Sequence, residues 1–479
     1  MANSQSPVLH VVIFPFMAQG HTIPLLDISR AFANRGLKVT IITTQANAPF
    51  ISSKTNKHPN ISLSIIPFPK VQELPHGCEN TADLPSMALW TTFIEATKKM
   101  KQSFEDVLRH MIHDGFPPIC VISDFFLGWT LESCRCFDIP RIVSHGMGVI
   151  SMVVCKSPTL QDPSVNDLSL LDPIEISELT NIPFTLNKCD IPEGLLDSDP
   201  NDPTLGILLE LGEADVNSWG VIVNSFEEIE GDYVAALESF YCKEAKAYCV
   251  GPALLYDDQV DAEDHRSYSY IKWLDNQVGS GSVIYVSFGT QTHLSNDQMD
   301  EIAFGLEKAG HPFIWVVRSR TWAPPNGWNE RVKNKGLVLY DWVEQRSILA
   351  HPAIGGFLSH CGWNSVLEGL GMGVPLLTWP MLGISEQALN AKVVVLGLGA
   401  GLMVPQRGVG GEKIMNVDRG VICERVKELM GGEKGKKVKE RAQAIGKMAR
   451  HAVEEGGSRK KLDELIERLS NKNMRSKPL

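Results

Sequence analysis

No stretch of the 479-residue chain reaches the roughly 18 consecutive apolar residues of a membrane-spanning helix, so no span is expected. The opening segment, MANSQSPVLHVVIFPFMAQG, lacks a basic start and a small-residue cleavage site. Its short apolar run reads as a buried strand rather than a signal peptide. An excess of positive charge is also absent. With 45 Lys and Arg against 56 Asp and Glu, the net charge is −11. That balance disfavours general binding to nucleic acid or to an anionic membrane. An anionic ligand must therefore be held by local geometry rather than by overall charge. Ten cysteines occur without a CxxC pair, and Cys134 and Cys136 are too close for the usual zinc knuckle. Reduced, mostly buried thiols and a cytoplasmic location are expected. The sequon Asn60-Ile61-Ser62 is then silent. No short-period repeat is visible.

What is present describes a large α/β protein. A 43% hydrophobic and 21% charged composition is ordinary for a soluble globular chain, and the length favours two or more domains. LHVVIFPF, LKVTIITT, ISLSIIPF and ICVISD read as buried strands. Between them lie an amphipathic helix, IPLLDISRAFANRG, closing at Gly36, and a long helix expected from about Ser86 to His113. This alternation predicts a parallel sheet with helices on both faces. Residues from about 155 to 215 carry several Pro and Asp and read as loops and short helices. After the acidic stretch Tyr256 to Asp264 a second series begins, with SVIYVSFGT, PFIWVVR, GLVLYDW, IGGFLSH and VPLLTWP as strands. Two Rossmann-like halves, joined by a linker at about 250–272, predict a ligand cleft between them. Charged helices are expected from about Val417 to Leu469.

The segment Trp342 to Gln387 concentrates rare residue types. His360, Cys361, Gly362, Trp363, Asn364 and Ser365 stand where the strand-like IGGFLS gives way to the helix-like NSVLEGL. A helix N-terminus there aims backbone N–H groups and a positive dipole end at a phosphate. Glu368, one turn into that helix, is a carboxylate able to accept two hydrogen bonds from a ribose diol. Trp342 offers a flat face for a base, or is a core residue. Glu386 and Gln387 offer acceptors and donors for sugar hydroxyls.

Two residues of the first half carry a second kind of chemistry. His21 follows Gly20 at the end of the first strand, just before a helix, where open α/β sheets place ligands. It is either a general base active near neutral pH or a solvent-exposed loop histidine. Asp124 ends the strand ICVISD. It either orients a histidine and stabilises its imidazolium, or caps the following helix.

The Trp342 to Gln387 pattern closely resembles the signature of plant UDP-dependent glycosyltransferases of secondary metabolism, and the resemblance extends over nearly the whole chain. It implies a GT-B fold, two Rossmann-like domains facing across a cleft. The domains expected are 1–250 for the acceptor and 251–459 for the UDP-sugar, with 460–479 packing back on the first. It implies His21 as base and Asp124 as its partner. Trp342 matches the residue stacked on uracil and Val343 the one whose backbone reads the base edge. Gln345 and Glu368 match ribose positions. His360, Asn364 and Ser365 match pyrophosphate contacts, with Gly362 allowing close approach. Ser287, Gly289 and Thr290 match a second phosphate-side loop. Trp363, Glu386 and Gln387 match residues around the sugar, and Ser144 a position near its 6-hydroxyl. Phe16, Trp90, Phe125, Phe126, Met147 and Met381 are candidates for the acceptor pocket.

Two departures stand out. Glu344 occupies a position where the family usually has Pro. The run from Pro380 to Gln387 is about two residues longer than usual, so Glu386 and Gln387 match only if the extra residues loop out within MLGIS.

The reaction so implied is inverting transfer of glucose from UDP-glucose to a hydroxyl of an apolar flavonoid, other phenolic or terpenoid, giving a β-glucoside. The UDP-sugar is a co-substrate, and neither a cofactor nor a metal is expected. A monomer is expected. Attack by an aromatic carbon, a sugar-nucleotide epimerase and a non-catalytic UDP-sugar-binding protein are the alternatives. Asp197-Ser198-Asp199, a DxD, reads as a solvated turn. The glycine run 397–401 follows a helical segment rather than a strand and reads as a turn.

Overall fold

The computed structural model describes residues 8–196, 203–256, 268–289, 294–319, 321–381, 385–406 and 416–475. The chain divides into two compact units. One comprises Met1–Val149, Ser198–Asp258 and Ala452–Leu479, the other Ile150–Asp197 and Gln259–His451. Residues 150–197, inside the expected 1–250 domain, group with the second unit, while the last helix, expected to pack back on the first, groups with it.

The first unit is built on seven parallel strands: β1 His10–Phe14, β2 Lys38–Thr43, β3 Ile61–Ile65, β4 Cys120–Asp124, β5 Arg141–His145, β6 Gly220–Val223 and β7 Lys246–Cys249, ordered β3-β2-β1-β4-β5-β6-β7. β1, β4 and β5 are buried along their whole length, as strands covered on both faces must be. β3, expected to be buried, is the half-exposed edge strand, and Ile65 faces solvent. The short strands β6 and β7 were not anticipated. One face packs Val11, Ile13, Val39 and Ile41 against Leu462, Leu465 and Leu469 of the terminal helix Gly457–Arg475. That helix is held further by Arg468, which donates to the Tyr248 hydroxyl (2.7 Å), and by Ser458, which donates to the Gly251 carbonyl (2.5 Å).

Three helix expectations change. The helix after β1 runs Gln19–Ala33, so His21 lies in its first turn rather than before it. The Thr22 N–H bonds the Ala18 carbonyl (2.8 Å) and its hydroxyl the Phe16 carbonyl (3.1 Å), closing a turn ahead of Pro24. The long helix at 86–113 is two, Trp90–Lys98 and Lys101–His113. At the break, the Lys99 and Met100 N–H groups reach only three residues back, and Met100 turns into the core beside Phe93 and Phe104. Within the irregular stretch, Pro203–Val216 is a 14-residue helix.

The second unit is built on six parallel strands: β8 Val283–Ser287, β9 Phe313–Val316, β10 Gly336–Leu339, β11 Ile354–Ser359, β12 Leu376–Thr378 and β13 Gly401–Met403, ordered β10-β9-β8-β11-β12-β13. Its core gathers Ile284, Val286, Trp315, Trp328 and Leu358. Lys272, at the far end of the expected linker, already lies in a helix, Ser269–Asp275; residues 257–267 are outside the described set. Gly399, at φ +63°, turns the chain from helical 393–397 into β13, so the 397–401 glycines do form a turn. The DxD at 197–199 lies outside the described residues. All ten cysteines are free thiols; six are buried, while Cys136 and Cys242 are exposed.

Candidate functional site

Strand order reverses once in each sheet, and open α/β sheets hold ligands outside the carboxyl ends of strands at such a point. In the first unit the reversal lies at β1 and β4. His21 follows β1 and Asp124 closes β4. The ring Nδ1 of His21 lies 2.8 Å from Asp124 Oδ2, across 103 residues of sequence. The other carboxylate oxygen accepts from the Phe126 N–H (3.0 Å). Asp124 is thus both cap and histidine partner, one oxygen for each. It is buried, whereas the His21 side chain is 25% exposed, enough for a small molecule to reach it.

Apolar rings surround that histidine. Phe16 packs edge-on at 5.7 Å between centroids and Phe126 lies tilted at 5.2 Å. Trp90 stands edge-on to Phe126, and Phe125 adjoins both Phe126 and His145. Gly146 lies against the His21 ring, where an added Cβ would stand 3.5 Å from it. Met147 follows directly and is partly exposed. Ser144 pairs in register with Asp124 across β4 and β5 and is buried. It therefore belongs to the first unit, whereas the other candidates for the donor belong to the second.

Beneath Asp124 sits a group that sequence reading missed. Arg141 is 2% exposed and donates to the Asp124 carbonyl (3.2 Å), the hydroxyls of Ser123, Thr130 and Ser218, and the Ala214 carbonyl. A single Arg at a strand start gives no sequence signal of this. At the opposite, amino ends of β5–β7 a cavity of about 420 Å³ is lined by Ile139, Trp219, Ala245 and Arg468. It contains none of the residues expected to form the site.

In the second unit the reversal lies at β8 and β11, whose last residues, Ser287 and Ser359, are in register. His360 follows β11. Its Nε2 faces two glycines: a Cβ would come within 2.7 Å of it at Gly289 and 2.8 Å at Gly362. Gly289 has φ +79°, which side chains rarely adopt. Together these form a cradle that only glycine backbone leaves open. Burial pushes the His360 ring down to about 4, so it is neutral at pH 7 and donates through one N–H rather than as a cation. Cys361, at φ +69°, makes the turn, its N–H bonded to the Ser359 hydroxyl (3.1 Å). The helix Trp363–Gly371 then starts, with Gly362 as its cap. Trp363 is buried; Asn364 and Ser365 are partly exposed in its first turn. Thr290 lies outside the described residues.

Next to this cradle Gln345 donates to Ser365 Oγ (3.1 Å) and to Glu368 Oε2 (2.6 Å), while Tyr285 donates to Gln345 Oε1 (3.1 Å). Gln345 and Glu368 are thereby brought together. Arg346, also unforeseen, donates to the other Glu368 oxygen (3.0 Å). Trp342, 38% exposed, and buried Val343 follow β10. Glu386 caps the helix Gln387–Lys392. Buried Asn390 donates to Glu386 Oε1 (3.1 Å) and to the Cys361 carbonyl (2.9 Å), and accepts from Ser151 (2.9 Å). The i, i+4 spacing of Glu386 and Asn390 was the available signal. Gln387 accepts from the Met381 N–H (2.9 Å). Residues 382–384, where the extra residues were expected to loop out, are outside the described set. Met381 packs against the core of this second unit.

Known proteins resemble this chain over nearly its whole length. The family model "UDP-glucoronosyl and UDP-glucosyl transferase" matches residues 247–430. UDP-glycosyltransferase 90A1 of Arabidopsis thaliana is 38% identical over 474 residues, covering 96% of each chain. Scopoletin glucosyltransferase of Nicotiana tabacum is 37% identical, over 94% of this chain and 95% of its own. Among solved structures, Glycyrrhiza uralensis UGT73P12 with glycyrrhetinic acid 3-O-monoglucuronide superposes with a TM-score of 0.85 at 29% identity, covering 98% and 97% of the two chains. Phytolacca americana UGT2 with UDP-2fluoro-glucose and pterostilbene gives 0.78 at 27% identity, over 97% and 100%.

Proposed function

Because the chain belongs to the plant UDP-glycosyltransferase family, we propose that it transfers glucose from UDP-glucose to a hydroxyl of an apolar small molecule, giving a β-glucoside. The fold, two parallel α/β domains, is that of the GT-B enzymes of this family. The observation that carries the reading is the 2.8 Å contact of His21 with buried Asp124 among Phe16 and Phe126.

In this reading the first unit binds the acceptor. Its aromatic rings take the apolar body, and His21 removes the proton from the reacting hydroxyl. Asp124 fixes the ring and offsets the charge of the imidazolium. The second unit binds the donor. Trp342 faces the uracil, Val343 its edge, Gln345 and Glu368 the ribose. The cradle of Gly289, His360 and Gly362, with Ser287, Asn364, Ser365 and the helix N-terminus, takes the diphosphate. Thr290 is proposed for the same contact. Trp363, Glu386, Gln387 and Ser144 serve the sugar; Trp90, Phe125, Met147 and Met381 serve the acceptor. The acceptor oxygen forms a bond to the anomeric carbon as the bond to UDP breaks. UDP leaves with the electron pair, and one in-line displacement inverts the α-linked donor.

The neutral His360 and backbone donors take the electrostatic role a metal would have, so turnover is expected to persist in excess EDTA. The test is an acceptor panel with UDP-glucose, products identified by mass and acid stability. Acid-labile glucosides are the expected result. Acid-resistant products would point to attack by carbon, and UDP-sugar conversion without acceptor to an epimerase. Binding without turnover across the panel would point to a non-catalytic protein.

A further inference from the structure

Glu368 is buried, yet both its oxygens already have partners. Gln345 serves one at 2.6 Å and Arg346 the other at 3.0 Å. The Arg346 and Glu368 side chains are only 13% and 11% exposed. A carboxyl group accepts through both oxygens from a diol only while ionised, because protonation turns one oxygen into a donor. An ionised carboxylate in such a place is costly unless a cation stands beside it.

We propose that Arg346 is a positioning residue of the donor site, holding Glu368 as an ionised acceptor with lone pairs directed to the ribose diol. This rests on the reading of Glu368 as the ribose ligand. The groups facing the carboxylate come from three elements. Glu344, Gln345 and Arg346 come from the segment that opens the helix Gln345–Leu349. Tyr285 comes from β8 and bonds Gln345. Ser365, on the carboxylate's own helix, bonds Gln345 as well. Burial raises the Glu368 carboxyl and the negative charge of Glu344 adds to it, while Arg346 and the Gln345 hydrogen bond oppose them. Of these groups only Arg346 supplies a positive charge in direct contact. Glu344, at a position where the resemblance leads one to expect Pro, makes that charge more necessary here. Each oxygen spends one lone pair inward and retains another for the ligand.

The experiment measures UDP-glucose affinity by calorimetry from about pH 6 to about pH 9 in the whole protein. UDP-glucose suits this because its diphosphate diester does not titrate in that range. In Arg346→Gln, which keeps a donor but loses the charge, affinity should fall roughly tenfold near pH 6 and recover as pH rises. The midpoint of that recovery should lie about one pH unit or more above any in the wild type. Arg346→Lys should restore the wild-type profile. With the titration extended down to about pH 5, Glu344→Gln should move the acid-side loss of affinity to lower pH, a test available even if the Arg346 variants fold poorly. A loss equal at every pH, or no loss, would show that Arg346 only packs and would overturn the inference. If Glu368→Ala leaves UDP-glucose affinity unchanged, the ribose assignment itself fails, whatever Arg346 does.

Discussion

In the first unit the strand order turns at β1 and β4, and what gathers at their carboxyl ends is side chains: His21, Asp124, Phe16 and Phe126. In the second it turns at β8 and β11, and what gathers there is backbone, opened by Gly289 and Gly362 around one neutral histidine. Both units use the same architectural position. In the proposed reading the first moves a proton, so it needs a titratable group with a charged partner and an apolar surround. The second, in that reading, holds a permanent anion, so close approach and a helix end do more than a cation. The net charge of −11 fits this division, because neither site draws on overall electrostatics.

The difference breaks most sharply at His21. His21→Ala should lower turnover on an ordinary alcohol acceptor by roughly 10²–10⁴-fold, the usual share of a general base. UDP affinity, which the proposed reading assigns to the second unit, should stay within about twofold by calorimetry. Near-normal turnover would remove the base from the first unit. A strongly acidic phenol is the wrong probe, since it ionises unaided.

Gly289→Ala is the matching break in the second unit. The new Cβ would meet His360 at 2.7 Å and would sit at φ +79°. Left-handed backbone strain costs about 1–3 kcal/mol of stability, and the Cβ that fills the cradle should weaken UDP binding roughly tenfold or more. The fold should survive, as judged by circular dichroism. Unchanged affinity would mean that the cradle is not where the diphosphate lies.

The two units also differ in how much of them could be read from sequence. The second site is nearly contiguous, so strand, turn and helix run together from β11 to Glu368 and their residues announce one ligand. The first joins His21 to Asp124 across 103 residues, and only their shared strand-end position and the family resemblance suggested that they meet. Arg141 and Arg346 stayed hidden for another reason. Their roles arise from burial beside carboxylates, and burial of an arginine has no local signature. The helix break at Lys99 and Met100 was hidden too, because a chain turning to bury Met100 keeps helical composition on both sides.

A smaller effect follows from the neutral His360. Its ring titrates near 4 in the folded chain against about 6.5 unfolded. Between those values the unfolded chain binds the extra proton, so stability falls as pH drops through that window and is unaffected above it. The loss is at most about 3 kcal/mol. His10 and His311 shift the same way, so the difference between wild type and His360→Asn isolates the term. As pH falls from about 6.5 to about 4 the wild type should lose stability relative to His360→Asn, by up to about 3 kcal/mol, while above that window the difference stays constant. Parallel curves would mean that burial does not shift the cradle histidine.

The finest distinction lies at Gln387, where the second unit meets the sugar in the proposed reading. Its amide oxygen already accepts from the Met381 N–H at 2.9 Å, which leaves the side-chain NH₂ as the group to offer a sugar hydroxyl. A donor there reads the orientation of a hydroxyl, and UDP-glucose should exceed UDP-galactose and UDP-glucuronic acid in kcat/KM. Gln387→Ala removes one neutral hydrogen bond, worth about 0.5–1.5 kcal/mol, so the glucose preference should shrink roughly 2- to 12-fold. It should shrink through discrimination among donors, with UDP affinity unmoved, because UDP itself carries no hexose. Equal use of glucose and galactose donors, unchanged in the variant, would mean that the segment after Pro380 aligns differently and that another residue meets the sugar.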